Sequence, residues 1–215
     1  MLGRLDRIHA AIREKHATLG AADDRNRTGT YLRILYDFAT CTSGCRGGDH
    51  MWEYLCGRAF NLSYASHHLL QIGLYDEAFN QLRSLGELVN LVSLCVYDNS
   101  SFEAWRAAGH EARLRKFSPS KVRKLISASK GVLIVDGDLY SQLCELATHV
   151  TPQTTPNQHG SNERSHVGGS VQPEGFATGT RLLQHLLYFT CTFFTAALGD
   201  MQILENIPLP PSIEA

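Results

Sequence analysis

Four polar side chains stand at helical spacing within an apolar stretch, and their types could do chemistry. The stretch runs from residue 80 to residue 96 and carries Asn80, Arg83, Glu87 and Asn90. At about 100° of rotation per residue, the four side chains fall within a sector of roughly 80° on one helical face. Such a face would suit a phosphate: the arginine would stabilise its negative charge, the glutamate would orient the arginine, and the amides would add hydrogen bonds.

The same residues also allow a purely structural interpretation. A helix that is apolar on every side is normally buried, and buried Arg and Glu are nearly always paired. Arg83 and Glu87 stand at positions i and i+4, where they can pair within their own helix. The spacing therefore predicts either a structural ion pair or the polar floor of a binding site, and both hypotheses stay open.

A basic segment follows between residues 106 and 130, where Glu111 is the only acidic residue. The whole chain has 20 basic and 21 acidic residues, so this charge is local. A local positive patch is typical of a surface that meets phosphate backbones or an acidic partner. The alternative is the solvated face of two surface helices. The residues predicted to bind substrate here are Arg113, Arg115, Lys116, Lys121, Arg123 and Lys124.

His149 ends a helix predicted for residues 139–149, just before the sequence Thr151-Pro152. An imidazole can act as a general acid or base near neutral pH. It can equally be an exposed residue that the dipole of the helix C-terminus favours. His159 and His166 could join it as metal ligands, but no HxH or HExxH spacing supports that arrangement.

The cysteines offer a second set of ligand atoms, at Cys41, Cys45 and Cys56, with His50 between them. Zinc sites usually repeat a tight two-ligand knuckle. Here a single knuckle occurs, and it has a three-residue gap. We therefore predict no metal and no cofactor, and we expect reduced cysteines in a cytoplasmic protein.

The pattern of apolar residues predicts an all-α, single-domain helical bundle over residues 1–215. One long polar loop is expected at about residues 150–180, and a Pro-rich tail at residues 208–215. The sequence Val132-Leu-Ile-Val135 is the single strand candidate, too short and isolated to predict a sheet. Helices are predicted at about 2–19, from 30, at 49–72, from 74 to 97, at 102–115, from 119, at 139–149 and at 182–198.

Two segments bear on membranes and export. Residues 182–198 are strongly apolar, but they include Gln184 and His185 and are shorter than the about 20 apolar residues that a spanning helix needs. Residues 1–16 lack the apolar core of a secretory signal. We predict a buried bundle helix at 182–198 and no membrane association.

Three segments in this order resemble a bacterial protein family. Residues 77–87 resemble an "EA…LRSLxE" helix, and residues 117–123 resemble the connector that follows a Trp-containing helix, here Trp105. Residues 140–149 resemble a "YxxLSxxxHP" ending, with Cys144 at the serine position. Together they are similar to an uncharacterised family of helical domains of unknown function, which is loosely related to HEPN domains.

The resemblance implies a fold and an activity. HEPN nucleases are helical bundles that often dimerise, cleave RNA without metal and serve as toxins or antiviral effectors. Their R-x4-6-H spacing is not cleanly matched here, since Arg106 and His110 are separated by only three residues. The resemblance implies that Arg83, Glu87, Tyr140 and His149 converge on one pocket, with His149 as acid or base and Arg83 stabilising the phosphorane.

Two functions are therefore expected from different classes. The first is a cytoplasmic homo-oligomer that binds or cleaves RNA, in bacterial antiviral defence or a toxin-type system. The second is a non-catalytic scaffold or regulatory subunit that binds a partner protein. The scaffold predicts that Arg83 and Glu87 contact each other, that His149 points into solvent and that an apolar patch is exposed on the final helix.

Overall fold

The computed structural model describes residues 1–20, 22–42, 44–45, 48–149 and 167–210. It is an all-α bundle, 78% helical, with no strand among the described residues. The single-domain helical fold predicted from the sequence is confirmed. The helices are α1 Leu2–Leu19, α2 Ala22–Ala39, α3 Met51–Gln71, α4 Tyr75–Tyr97, α5 Asn99–Ala107, α6 His110–Lys116, α7 Pro119–Ala128, α8 Gly137–Leu143, α9 Pro173–Leu198 and α10 Met201–Glu205, with a π-helical turn at Cys144–Thr148 between α8 and α9.

Helix α4 is the central element of the core. It packs mainly against α3 and α9, and it also contacts α5, α7, α8 and the π-helical turn. Leu82, Leu85, Val89 and Val92 repeat at helical spacing along α4 and are fully buried. Burying one such side chain stabilises a fold by about 1.5–3 kcal/mol. The polar residues of α4 are thereby held on a rigid helix.

The connections around α5, α6 and α7 follow local rules. Asp98 caps α5 by accepting a hydrogen bond from the backbone N–H of Ser100 at 3.0 Å. Pro119 is the first residue of α7, as predicted, where its missing N–H costs nothing. The single helix predicted at 102–115 is wrong, because the chain turns at Ala108 and Gly109 between α5 and α6.

The predicted strand at residues 132–135 is also wrong, since this segment forms no strand, bends at residues 134 and 135 and packs on α4. The side chain of Asn90 satisfies its backbone instead. Its Oδ1 accepts from the N–H groups of Ile134 and Val135, both at 3.1 Å. Its Nδ2 donates to the carbonyl of Val135 at 2.7 Å. Gly86 leaves room on α4 for the side chain of Val135.

The predicted polar loop ends earlier than expected. Helix α9 begins at Pro173, so residues 173–180 are helical rather than part of the loop. Residues 151–166 of that loop, with His159 and His166, lie outside the described residues, as do residues 211–215 of the predicted tail. In the part of the chain that the structure describes, no helix combines the length and apolarity needed to cross a membrane.

Candidate functional site

Arg83, Glu87 and Tyr140 form a closed polar cluster between α4 and α8. The Nη1 of Arg83 donates to the Oε1 of Glu87 and, at 3.1 Å, to the hydroxyl oxygen of Tyr140. The hydroxyl of Tyr140 in turn donates to the same Oε1 at 2.9 Å. Three of the four residues that the resemblance assigned to one pocket therefore come together, and we call them the polar cluster.

Arg123 joins the polar cluster to α7. Its guanidinium carbon lies 4.7 Å from the centre of the Tyr140 ring, and that of Arg83 lies 5.7 Å from it. Both distances fall within the range of a cation–π contact. The Tyr140 ring is thus held between an arginine of α4 and an arginine of the basic segment.

The protonation states of the polar cluster follow from burial and charge. Burial, together with the hydrogen bond to the Glu87 carboxylate, raises the pKa of Tyr140 to about 12. Its phenol is therefore a hydrogen-bond donor at neutral pH rather than a base. Burial lowers the pKa of Arg83, but the Glu87 carboxylate and the Tyr140 oxygen outweigh that effect and raise it. The arginine stays charged.

One donor of the polar cluster is unsatisfied. The Nε of Arg83 is buried and has no hydrogen-bond partner among the described residues. The Arg83 side chain as a whole is 19% exposed and that of Glu87 32%, so the pair lies at the edge of the core. A buried donor without a hydrogen-bond partner lowers the stability of a fold by about 1–3 kcal/mol and is unusual in a purely structural pair.

His149 lies at the rim of this arrangement and not inside it. The π-helical turn directs the hydroxyl of Thr148 to the Oδ1 of Asn80, at 3.2 Å, which ties this end of the turn to the first part of the α4 stripe. His149 follows directly and is exposed, and its ring makes no hydrogen bond with a described residue. The predicted meeting of His149 with Arg83 and Glu87 is not seen in the structure.

Asn90 is separated from the polar cluster by its own contacts. It is 4% exposed, and its amide holds the backbone of residues 134 and 135. Its polar atoms are therefore used in the fold, although it shares the helical face of Arg83. Asn80 remains at the surface end of the stripe through its contact with Thr148.

The basic residues of α6 and α7 are mostly exposed, and α7 contacts the polar cluster through Arg123. Arg113, Arg115, Lys116, Lys121 and Lys124 are exposed, and they form no ion pair with a described acidic residue. We call these five residues, together with Arg123, the basic face. Five of the six predicted positions are exposed, whereas Arg123 is half-buried against the ring of Tyr140.

Two grooves flank Phe117 at the base of this surface. One, of about 310 Å³, lies between α3, α4 and α7 and is lined by Arg58, Ser84 and Glu87 on its polar side. The other, of about 330 Å³, is lined by Lys116, Lys121 and Lys124. Glu87 thus belongs both to the polar cluster and to the wall of an open groove.

Sequence reasoning missed several neighbours of this site. Cys144 lies one turn beyond Tyr140, and its thiol interacts with the Tyr140 hydroxyl. Arg58 reaches the groove from α3, far away in sequence. The spacing of Tyr140 and Cys144 on one helix was a usable signal, whereas nothing local to Arg58 indicated its position. Three side chains of types that can bind a metal also lie close together on the connection between α2 and α3, namely Cys41, Cys45 and His50.

Comparison with known proteins adds no assignment. No family model, no curated protein and no solved structure matches this chain. The function is therefore argued from the residues of the chain itself.

Proposed function

We propose that this protein binds single-stranded RNA across the basic face and the polar cluster. The observation that carries the proposal is the position of Arg123, which belongs to the basic face and stacks on Tyr140 of the polar cluster at 4.7 Å. Arg83 contacts the same ring, so the Tyr140 side chain links α7 of the basic face to Arg83 of α4.

The charge of the surface supports a polyanion as the ligand. The chain as a whole is nearly neutral, with a net charge of −1, so attraction has to come from this patch. Cations without ion-pair partners attract phosphate groups, and counterion release then supplies much of the binding free energy. Arginine also binds phosphate through two parallel hydrogen bonds, a geometry that a flexible lysine lacks.

The grooves beside Phe117 favour a single strand over a duplex. Bases of an unpaired strand stack on aromatic rings and on guanidinium planes. Phe117 is half-buried and faces both grooves, whose volumes are about 310 and 330 Å³. Each groove therefore offers an apolar wall beside positive charge, which suits a base and its phosphate.

Cleavage is the second part of the proposal. RNA can be cut without metal when its 2′-hydroxyl attacks the neighbouring phosphorus and the bond to the 5′-oxygen breaks. His149 would move a proton as acid or base, and Arg83 would stabilise the charge of the phosphorane. The exposed position of His149 leaves it free to meet a bound strand beside Asn80. A role in bacterial antiviral defence or a toxin-type system, as a homo-oligomer, follows from the HEPN resemblance.

Binding is tested with a fluorescently labelled single-stranded RNA and its duplex, by anisotropy at several salt concentrations. The double variant Lys121→Glu/Lys124→Glu should bind the single strand at least about tenfold more weakly. Its salt slope should be smaller by about two, because each lost phosphate contact removes about one. The matched control Arg4→Glu/Arg7→Glu changes the same charge on exposed residues of α1 and should bind as the wild type does.

Equal binding by both double variants would refute the basic face as the RNA surface.

Cleavage is measured in buffer without added divalent metal, beside a DNA strand of the same sequence as a control that lacks the 2′-hydroxyl. His149→Ala should abolish cleavage and keep binding, while His68→Ala, another exposed histidine, should cleave normally. Binding by the wild type without cleavage would remove the nuclease part of the proposal.

A scaffold protein is the second candidate, and two observations favour it. Arg83 and Glu87 contact each other, and His149 is exposed, as that hypothesis expects. Its apolar surface would not be on α9, which is largely buried, but on α2 and α3. Tyr36 and Tyr64 are 52% and 56% exposed there and both pack on the ring of Phe60. RNA binding that is equal in wild type and Lys121→Glu/Lys124→Glu would favour this candidate.

A further inference from the structure

The connection between α2 and α3 gathers four side chains of the types that bind transition metals. Cys41 and Cys45 follow the end of α2 at Ala39, and His50 and Glu53 stand at the start of α3. We propose that Cys41, Cys45, His50 and Glu53 bind one zinc ion, which fixes the turn between α2 and α3. This site is independent of the RNA surface proposed above.

The distances between the ligand atoms carry the proposal. The Nδ1 of His50 lies 3.9 Å from the Sγ of Cys41 and 3.7 Å from the Oε1 of Glu53. The Sγ of Cys45 lies 3.8 Å from the other ring nitrogen, and the two sulfurs and one imidazole nitrogen all lie within 4.8 Å of one another. Neighbouring ligands of a tetrahedral zinc stand about 3.3–3.8 Å apart, given bonds of about 2.0–2.3 Å. Cys41, Cys45 and His50 need only small movements to share one ion, whereas Glu53 contacts the His50 ring from outside this group and has to move further.

Glu53 adds an independent indication. Its side chain is 9% exposed, and its carboxylate lies beside the ring of His50. Burying a carboxylate costs several kcal/mol unless it is paired or bound to a metal. Two thiolates beside this carboxylate would repel it, whereas a divalent cation between them would satisfy all three groups.

The backbone supports the same conclusion. Cys41 and His50 both have positive φ angles, of 53° and 54°, although neither is a glycine. Such conformations are uncommon for other residues and persist where surrounding contacts hold them. The two strained residues are two of the proposed ligands, so metal bonds would supply the contacts that hold them.

The donor set selects zinc. Thiolates are soft ligands that disfavour magnesium and calcium, and two sulfurs with one imidazole and one carboxylate complete a tetrahedron. The sequence prediction of no metal rested on the absence of a second tight knuckle. In the structure, the start of α3 supplies the third and fourth ligands in place of that knuckle. These are His50 and Glu53, which are separated by two residues.

The turn that zinc would fix also contacts α5. Asp49, next to His50, accepts from Arg106 of α5 at 2.6 Å. The ring of Trp52 stacks on Phe102 of α5 with centroids 4.6 Å apart. Loss of the ion should therefore loosen the junction of α2, α3 and α5 and lower the melting temperature.

The test is the metal content of the full-length protein, purified under reducing conditions without chelator. Elemental analysis should find about one zinc per chain in the wild type, the stoichiometry of a single site. Cys45→Ser and His50→Ala should lose the zinc. The matched controls Cys144→Ser and His68→Ala remove the same side-chain types elsewhere and should retain it.

A cobalt experiment on the wild type keeps the proposal testable even if a variant fails to fold. Cobalt added to the zinc-free, reduced protein should give the intense visible bands of a tetrahedral site and a thiolate charge-transfer band. Glu53→Cys should strengthen the charge-transfer band, because it adds a third sulfur. The absence of zinc and of these bands in the wild type, or a Cys41–Cys45 disulfide found by mass spectrometry in their place, would overturn the proposal.

Discussion

Arg83 takes part in two kinds of contact at once. It pairs with Glu87 one helical turn away and with Tyr140 from a different helix, and its Nε lacks a partner among the described residues. The first contact is local and the second is long-range. Removing the arginine therefore takes the donor from the Tyr140 oxygen and one of two donors from the Glu87 carboxylate, which keeps the hydrogen bond from Tyr140.

Arg83→Ala should lower the free energy of unfolding by about 1–3 kcal/mol, because two partly buried partners lose a charged hydrogen bond. The effect is smaller than the loss of a fully buried pair, since Glu87 is 32% exposed and water can reach it. Arg33→Ala is the matched control, because Arg33 also pairs at i and i+4, with Asp37, but is 84% exposed. It should cost less than about 0.5 kcal/mol. Urea unfolding measures both, and equal costs would contradict a structural part for Arg83.

At the scale of single residues, the sequence predicted contacts that lie within one helix. The pair Arg83 and Glu87 followed from the i, i+4 spacing alone. The contact of Arg123 with Tyr140 depends on how α7 and α8 pack on α4, and no local pattern encodes that packing. Asn90 was predicted to belong to the same site because it shares a helical face with Arg83, and this was wrong. Its amide serves the backbone of residues 134 and 135 instead.

At the scale of helices and connecting segments, the segment 132–135 packs closely on α4. Gly86 faces Val135, which is fully buried, and a Cβ on Gly86 would lie 2.7 Å from the Cγ2 of Val135. This is closer than real Cβ contacts. The glycine in the middle of α4 is therefore explained by close packing, although glycine weakens a helix.

Gly86→Ala should destabilise the protein by about 1–3 kcal/mol, because overpacking at Val135 outweighs the gain in helix propensity of about 1 kcal/mol. Gly57→Ala on α3 is the matched control, since its Cβ would meet Ala39 at an ordinary 3.7 Å. That variant should be stabilised by roughly 0.5–1 kcal/mol. Chemical denaturation of both variants decides the point, and a stabilised Gly86→Ala would contradict the packing.

Helix ends that are marked by a glycine or a proline were predictable from the sequence, and elements whose form depends on tertiary packing were not. Gly20 and Pro119 marked the end of α1 and the start of α7 correctly. The β-branched residues at 132–135 predicted a strand, but Asn90 of α4 takes the place of a neighbouring strand. The polar composition near residue 175 favoured a loop, yet α9 begins at Pro173 and packs Phe176 on His16.

Considered as a whole, the molecule separates its proposed sites along the chain. The proposed zinc ligands lie between residues 41 and 53, and the polar cluster and basic face lie between residues 83 and 140. A strong chelator would extract the zinc and weaken the fold, so a loss of cleavage in chelator would not report on the RNA surface alone. Cleavage assays should therefore omit divalent metal rather than add excess chelator.

Buried histidines connect the stability of the whole fold to pH. His16 is 1% exposed, stacks on Phe176, and places its ring nitrogens 3.1 Å from the carbonyl of Gln71 and 2.9 Å from the hydroxyl of Tyr75. Burial lowers its pKa, and the Gln71 carbonyl only partly offsets this. Burial also lowers the pKa of His67 and of His185. All three histidines favour the neutral form in the folded state.

A histidine whose pKa is lower in the folded state than its unfolded value of about 6.5 takes up its proton more readily after unfolding. The stability from the neutral ring is thus fully present above about pH 6.5 and is lost as the pH falls through the lowered folded-state pKa. The melting temperature of the wild type should drop as the pH is reduced from about 7.5 towards 5.5. His16→Gln should flatten this dependence, because glutamine keeps hydrogen-bonding capacity but does not titrate. His110→Gln, a change at an exposed histidine of α6, should leave the slope as it is in the wild type. If His16→Gln and the wild type lose stability in parallel, the acid sensitivity comes from other groups and the packing of His16 against Phe176 does not control it.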